Sequence, residues 1–220
     1  MKRVLANFGL IETIFPFFEL RESSGSSFMS FELHEKRVMD RLKNLKPCYT
    51  YHSLEHTQLV LRSVEVLAKE EGVTLREMEL LKLAALFHDC GFLNSPENHE
   101  ERGCDMVRSE LKESDFSSDE IDQICGMIMA TKIPQSPNTR LEKILADADL
   151  FYLGTENYDK YSSHLFDELK HFNPKITEGD WINIQINFLE SHHFHTAFCR
   201  ENLEPKKRQH LEKIRASLDR

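Results

Sequence analysis

Eight consecutive residues near the middle of the chain limit its fold more than any others. Leu80 to Phe87 (Leu-Leu-Lys-Leu-Ala-Ala-Leu-Phe) is apolar except for Lys82. It lies in a stretch that Thr74 can cap as a helix and Gly91 can stop. A helix that is apolar around its whole circumference has to be buried on all sides. Other elements must therefore surround it, and the residues at its end, His88-Asp89, must lie beside that core.

The surrounding elements also read as helices. Phe31 to Leu45 carries Phe31, Leu33, Val38, Met39 and Leu42 among charged residues, an amphipathic pattern that Pro47 to Tyr51 breaks. Ser53 caps a helix running to about Glu71, with Gly72 as its stop. Further helices are expected over Asn98–Leu111, Ser117–Thr131, Arg140–Leu153, Tyr158–Phe172, Thr177–His193 and Pro205–Leu218, with Pro134 and Pro137 marking one break. No stretch alternates with period two for long enough to make a strand, and glycine (8) and proline (7) are too scarce for a turn-rich β architecture. The expected fold is all-α, a bundle of about eight to ten helices.

At 220 residues the chain suits one domain. Lys2-Arg3 precede an apolar stretch, Val4 to Phe18, which Glu12 and Pro16 interrupt, and Arg21 to Ser27 is polar and Ser/Gly-rich. Residues 1–28 read as a leader or poorly ordered extension, with Met29 as the working start of a single domain over 29–220. The formal charge is −9, from 28 Lys+Arg against 37 Asp+Glu, which argues against a nucleic-acid polymer as partner. Small anionic substrates stay open, because a bound cation inverts the local field. Five cysteines without a Cys-x-x-Cys pair indicate neither a disulfide framework nor a zinc knuckle, and a reducing cytoplasm fits. No apolar run reaches the roughly 18–20 residues of a membrane span.

Three clusters carry chemistry. In Tyr51-His52-Ser53-Leu54-Glu55-His56, two histidines four apart share a helix face. His88-Asp89 sits where the buried helix stops, and an imidazole beside a carboxylate under an apolar core is costly unless a partner such as a cation satisfies both. Asp147-Ala148-Asp149 places two carboxylates among Ile144, Leu145, Leu150 and Leu153. Each cluster has a structural alternative: histidines as surface or core decoration, and carboxylates at exposed helix positions.

Together these residues resemble the HD superfamily of metal-dependent phosphohydrolases. Tyr-His-Ser-Leu-Glu-His-Thr is similar to a Tyr-His-Asn-x-x-His segment of its cyclic-nucleotide phosphodiesterase branch. Ala-Ala-Leu-Phe-His-Asp, Asn-His-Glu and Asp-Ala-Asp-Leu-x-x-Leu-Gly resemble small stand-alone predicted HD hydrolases. The likeness covers about Phe31 to Phe198. It implies that His56, His88 and Asp89 ligate a divalent metal, with Asp149 as fourth ligand and Asp147 as the alternative. Residues two apart on a helix point roughly 200° apart, so both cannot face one site. The resemblance makes His52 the proton donor to the leaving oxygen and puts His99-Glu100 near the substrate phosphate.

One departure concerns Thr131, which stands where two-metal members carry a further histidine. Beside it, Lys132 could offer charge to a phosphate or simply be solvated at a helix end. His192-His193-Phe194-His195 reads as surface or pocket lining more readily than as a metal tract. Trp181, Ile182, Ile184, Ile186, Phe188 and Leu189 read as core packing, as do Phe151, Tyr152 and Tyr158, whose alternative is stacking on a nucleobase.

The expected activity is hydrolysis of a phosphate mono- or diester, nucleotide substrates being favoured, by metal-activated water. The metal is Mn, Fe, Co, Mg or Ni. Glu100 or the second Asp would orient that water, and His99 and Lys132 would bind substrate. The alternative is a non-catalytic metal- or nucleotide-binding sensor module. A di-iron oxidative enzyme on the same fold would need further histidines, and Thr131 argues against it. A homodimer is compatible with the sequence.

Overall fold

Capping chemistry fixes where the helices begin. The hydroxyls of Thr74, Ser117, Thr139 and Thr177 each accept a hydrogen bond from the backbone N–H three residues on, and the carboxylates of Glu77, Glu120, Glu142 and Asp180 reach back to the cap N–H. These reciprocal boxes satisfy donors that a helix start otherwise leaves unpaired.

The computed structural model describes the backbone of residues 25–218 and the side chains of residues 31–218. The α-helices are α1 Gly25–Leu42, α2 Leu54–Glu70, α3 Leu75–Phe87, α4 His99–Glu110, α5 Ser118–Ala130, α6 Arg140–Asp149, α7 Tyr158–Phe172, α8 Glu178–Ser191, α9 Ala197–Asn202 and α10 Glu204–Leu218. Short 3-10 turns at Cys90–Leu93 and Phe151–Gly154 follow α3 and α6. No strand occurs among the described residues. None of the described helices is long and apolar enough to cross a membrane. Of the expected leader, residues 1–24 lie outside the described residues; helix α1 begins at Gly25, ahead of Met29.

Helix α3 is the centre of the bundle, as its apolar circumference requires. Leu81, Leu83, Ala84, Ala85, Leu86 and Phe87 are fully buried, and α3 packs against α1, α2, α4, α5 and α6. Each such Leu or Phe contributes roughly 1.5–3 kcal/mol by leaving water. Lys82 fits this setting by laying its ammonium 4.4 Å from the centre of the Phe31 ring and 3.0 Å from a Glu65 carboxylate oxygen.

Two elements differ from the sequence expectation. The helix expected over Arg140–Leu153 stops at Asp149, and the chain tightens into a 3-10 turn. Leu150, Phe151, Tyr152 and Leu153 are all buried, which a straight helix with one exposed face cannot achieve for four successive residues. Helix α9 was not expected because six residues are too few to show a period.

Close approach at one glycine positions the start of α4. A Cβ on Gly91 would lie 2.1 Å from the His99 carbonyl oxygen, so the 3-10 turn and α4 touch backbone to backbone. Gly72, by contrast, ends α2 with φ +64° and open space around it. Gly91→Ala should therefore destabilise by about 1–3 kcal/mol or more through overpacking, at roughly 2–4 °C of Tm per kcal/mol. Gly72→Ala should cost only about 1–2 kcal/mol of left-handed strain. Thermal melts of both check this; equal or smaller loss at Gly91 would contradict a rigid contact there.

Candidate metal centre

Three packed helices bring four donor side chains together. His56 is the third residue of α2, His88-Asp89 follow the last residue of α3, and Asp149 is the last residue of α6. Helices α2, α3 and α6 pack against one another. His56 Nε2 lies 2.9 Å from Asp149 Oδ1 and 3.5 Å from Asp89 Oδ2. His88 Nε2 lies 3.1 Å from Asp89 Oδ2, 3.6 Å from Asp149 Oδ1 and 3.4 Å from His56 Nε2. Neighbouring ligands on an octahedral cation with bonds of about 2.1 Å stand about 3 Å apart; His56, His88 and Asp149 offer donor atoms within 4.8 Å of one another, a group that could hold one cation, and Asp89 Oδ2 borders it.

The protonation pattern supports that fit. His88 Nδ1 donates to the Ala85 carbonyl at 2.7 Å, which leaves the Nε2 lone pair for the cluster. Two imidazole nitrogens 3.4 Å apart cannot both point hydrogens at each other. Asp89 Oδ2, although near both rings, accepts no well-directed hydrogen bond while buried, and His56 Nδ1 is likewise unpartnered. Buried polar atoms in that condition are costly, and a cation at their meeting point satisfies the oxygen and both Nε2 atoms.

The field has the matching sign. Burial alone would lower the His88 pKa, yet the charges of Asp89 and Asp149 hold it well above its ordinary value. Burial would raise both carboxyls, but their bonds and charge contacts with the imidazoles, His88 foremost at Asp89 and His56 with His88 at Asp149, hold them below the usual carboxylate range. The cluster attracts positive charge.

His52 stands apart from the four donors, its ring centre 6.5 Å from that of His56. Its Nδ1 meets Glu168 Oε1 at 2.5 Å, while Glu168 Oε2 accepts the backbone N–H of Tyr51 (2.9 Å) and His52 (3.1 Å). Phe92 stacks on its ring at 4.0 Å. Burial would lower the His52 pKa, but the Glu168 hydrogen bond and the nearby carboxylates outweigh it and the net shift is upward. Glu168 is the functional-site residue that sequence reasoning missed. Its signal is spacing: Tyr158, Tyr161, Leu165 and Glu168 follow a three-four-three rhythm, so a carboxylate occupies the inward stripe of α7.

The other candidates spread around these groups. His99 Nδ1 donates to the Pro96 carbonyl at 3.0 Å, and its Nε2 lies 3.3 Å from Glu100 Oε1 and 3.8 Å from Asp89 Oδ1. Lys132 lines the same cleft but pairs with Glu101 at 2.6 Å. Thr131, in the position of the further histidine, donates its hydroxyl to the Ile128 carbonyl at 2.8 Å. Asp147 points elsewhere: its oxygens accept from the N–H of His195 and Thr196 and from the Thr196 hydroxyl at 2.7–2.8 Å, pinning the start of α9. His192 packs on buried Lys207, and His195 Nε2 lies 3.2 Å from Gln135 Oε1, so neither belongs to the cluster. A cleft of about 510 Å³ runs from Asp89 and Asp149 along α7 and α8. Trp181, Ile184, Phe188 and Leu189, expected as core packing, are part of its wall, as are Tyr152 and Tyr158.

Residues 53–152 match the family model described as the HD domain. That stretch is an HD domain. The matched segment contains all four donors of the cluster, whereas His52 precedes it and Glu168 follows it. Among solved structures, a predicted HD superfamily hydrolase from an uncultured Thermotogales bacterium shares the fold, with a TM-score of 0.58 and 19% identity, covering 86% of this chain and 91% of that one. No curated protein matches the chain in sequence.

The two aspartates of the HD domain's last helix give a direct test. Asp149→Asn should remove most of the protein's Mn²⁺ affinity, measured by titration calorimetry. Asp147→Asn should keep that affinity while lowering Tm, since it weakens three hydrogen bonds worth about 1.5–3 kcal/mol each when one partner is charged. The reverse ranking would move the cation to Asp147.

Proposed function

We propose that this chain is a metal-dependent phosphohydrolase that cleaves a phosphate mono- or diester, with nucleotides as the favoured substrates. The observation carrying this reading is the convergence of four donor atoms at one end of a cleft, with a separately held imidazole, His52, beside them. His56, His88, Asp89 and Asp149 hold the divalent cation, drawn from Mn, Fe, Co, Mg and Ni. When bound, that cation supplies Lewis acidity for a phosphoryl oxygen and acidifies water.

The remaining residues divide the proton traffic. Water supplies the oxygen that joins phosphorus, and the bond from phosphorus to the ester oxygen breaks. His52, protonated and oriented by Glu168, gives its proton to that departing oxygen. Glu100, buried in the cleft wall beside His99, orients the attacking water. His99 and Lys132 face the phosphoryl group from the cleft wall. The five cysteines are free thiols, consistent with work in a reducing cytoplasm; the same cleft suits a small substrate rather than a nucleic-acid polymer, and a homodimer is compatible with it. Metal analysis of the purified protein together with an ester screen tests the proposal. Bound metal with no turnover on any phosphate ester would favour a sensor module.

Two predictions separate the roles. His52→Asn should keep its metal and lose about 10²–10⁴-fold on an alkyl or nucleoside ester, yet much less on p-nitrophenyl phosphate, whose leaving group needs little protonation. Equal losses on both would assign His52 to binding. Glu168→Gln removes the charge that raises the His52 pKa, so its acid form would persist over a narrower range. The alkaline limb of the pH–kcat profile should then move to lower pH; an unmoved limb would argue that His52 is not the acid.

A further inference from the structure

The cleft wall sorts its charges in a way that bears on the leaving group. Besides the imidazoles of His52 and His99, its charged side chains are Asp89, Glu100, Asp149 and Lys132. All come from the end of α3, the ends of α4 and α6, or the turn after α5. Every lining residue contributed by α7 and α8 is uncharged, and most are aliphatic or aromatic. The arm along those two helices therefore solvates neither a phosphate nor an ammonium group.

Two further observations concern the same arm. Ile184, on α8, lines the cleft while remaining 43% exposed, and Ile133, in the turn after α5, lines it at 55%. Large apolar side chains gathered at the mouth of a cavity mark a surface that a ligand covers. Gln185 also lines the arm, and its Oε1 accepts from Tyr158 Oη at 2.8 Å and Ser162 Oγ at 2.6 Å. Those lengths are typical of O–H···O bonds. The amide is thereby fixed with Nε2 as the remaining group, and Nε2 has no partner among the described residues. It offers a hydrogen-bond donor in an otherwise apolar setting.

The charge balance limits the number of phosphates. Against three lining carboxylates stand one ammonium, Lys132, already paired with Glu101 at 2.6 Å, and the imidazolium of His52, already paired with Glu168 at 2.5 Å. One divalent cation offsets only part of the three carboxylates' charge, so each phosphoryl group beyond the one it holds meets net negative charge. A second or third phosphate would find no uncommitted cation among the lining side chains.

Resting on the hydrolase reading, we propose that the substrate carries a single phosphoryl group and a bulky, uncharged, largely apolar leaving alcohol that presents one acceptor to Gln185 Nε2. A nucleoside meets this description through its planar base, and only as the monophosphate or a diester. Di- and triphosphates are excluded.

The test uses the full chain with Mn²⁺ and four probes: phenyl phosphate, 2-naphthyl phosphate, AMP and ATP. The kcat/KM for 2-naphthyl phosphate should exceed that for phenyl phosphate at least about tenfold, since each added apolar carbon fills the arm, and AMP should exceed ATP by a similar factor. Ile184→Asp, at an exposed position, should collapse the naphthyl-to-phenyl ratio towards one with Tm and metal content retained. Turnover with a flat naphthyl-to-phenyl ratio, or with ATP preferred, overturns this inference and leaves the hydrolase reading standing. Calorimetric binding of 2-naphthylmethylphosphonate against methylphosphonate reads the arm without turnover. Tighter binding of the naphthyl probe with no hydrolysis of any ester supports the arm and removes the hydrolase reading; equal binding with no hydrolysis removes both.

Discussion

Two carboxylates and two imidazoles share a buried space at the end of the central buried helix α3, and the rest of the arrangement answers to that constraint. Removing such groups from water costs several kcal/mol each unless they compensate one another. Part of the compensation is built into α3 itself. The last carbonyls of a helix have no partner within it, and here His88 donates to the Ala85 carbonyl and the Cys90 thiol to that of Leu86. The helix end is thus satisfied by the residues that leave it, and in the same act His88 is turned with Nε2 towards His56, Asp89 and Asp149. Packing supplies the remainder. Helices α2 and α6 lie against α3 because their apolar faces cover it, and that docking sets the separation of the donor atoms.

Much of this was readable from the residues, and the failures have physical causes. His56, His88 and Asp89 announce themselves because each sits at a defined point of a strongly patterned helix. The angular argument that only one of Asp147 and Asp149 can face the cluster was also available, since it needs only 3.6 residues per turn. Which one faces it depends on how α6 is rotated against α2 and α3, a tertiary property. The early stop of α6 was hidden because Leu150 to Leu153 continue an apolar run that suits helix and 3-10 turn alike.

Glu168 was missed for a different reason. It is 116 residues from His52 in sequence, in a helix rich in polar residues, where one more glutamate draws no notice. Only its register within the inward stripe marks it out. The wall formed by α8 was obscured in the same way: Trp181 and Phe188 have the spacing of core residues, and nothing local tells a side chain that fills a core from one that borders a cleft. Sequence pattern reports which face of a helix leaves water, and does not report whether that face meets protein or ligand.

The division of labour within the chain follows from these contacts. Residues 53–152 provide the four donors on helices α2, α3 and α6, and they could do so in any protein sharing that core. The C-terminal third adds three separate things. Helix α7 brings Glu168 under His52, α8 walls the apolar arm, and the start of α9 ties itself to Asp147 from behind the metal helix. That last contact matters for the others. Asp147 and Asp149 share one turn of α6, so the bonds that pin α9 also hold the helix end that carries Asp149, and the C-terminal helices are anchored to the metal centre at its rear as well as along the cleft. The donor cluster would attract a cation in any such core. Under the proposed hydrolase function, the proton donor and the pocket for the leaving alcohol would depend on helices that lie outside the matched domain and on how they dock on it.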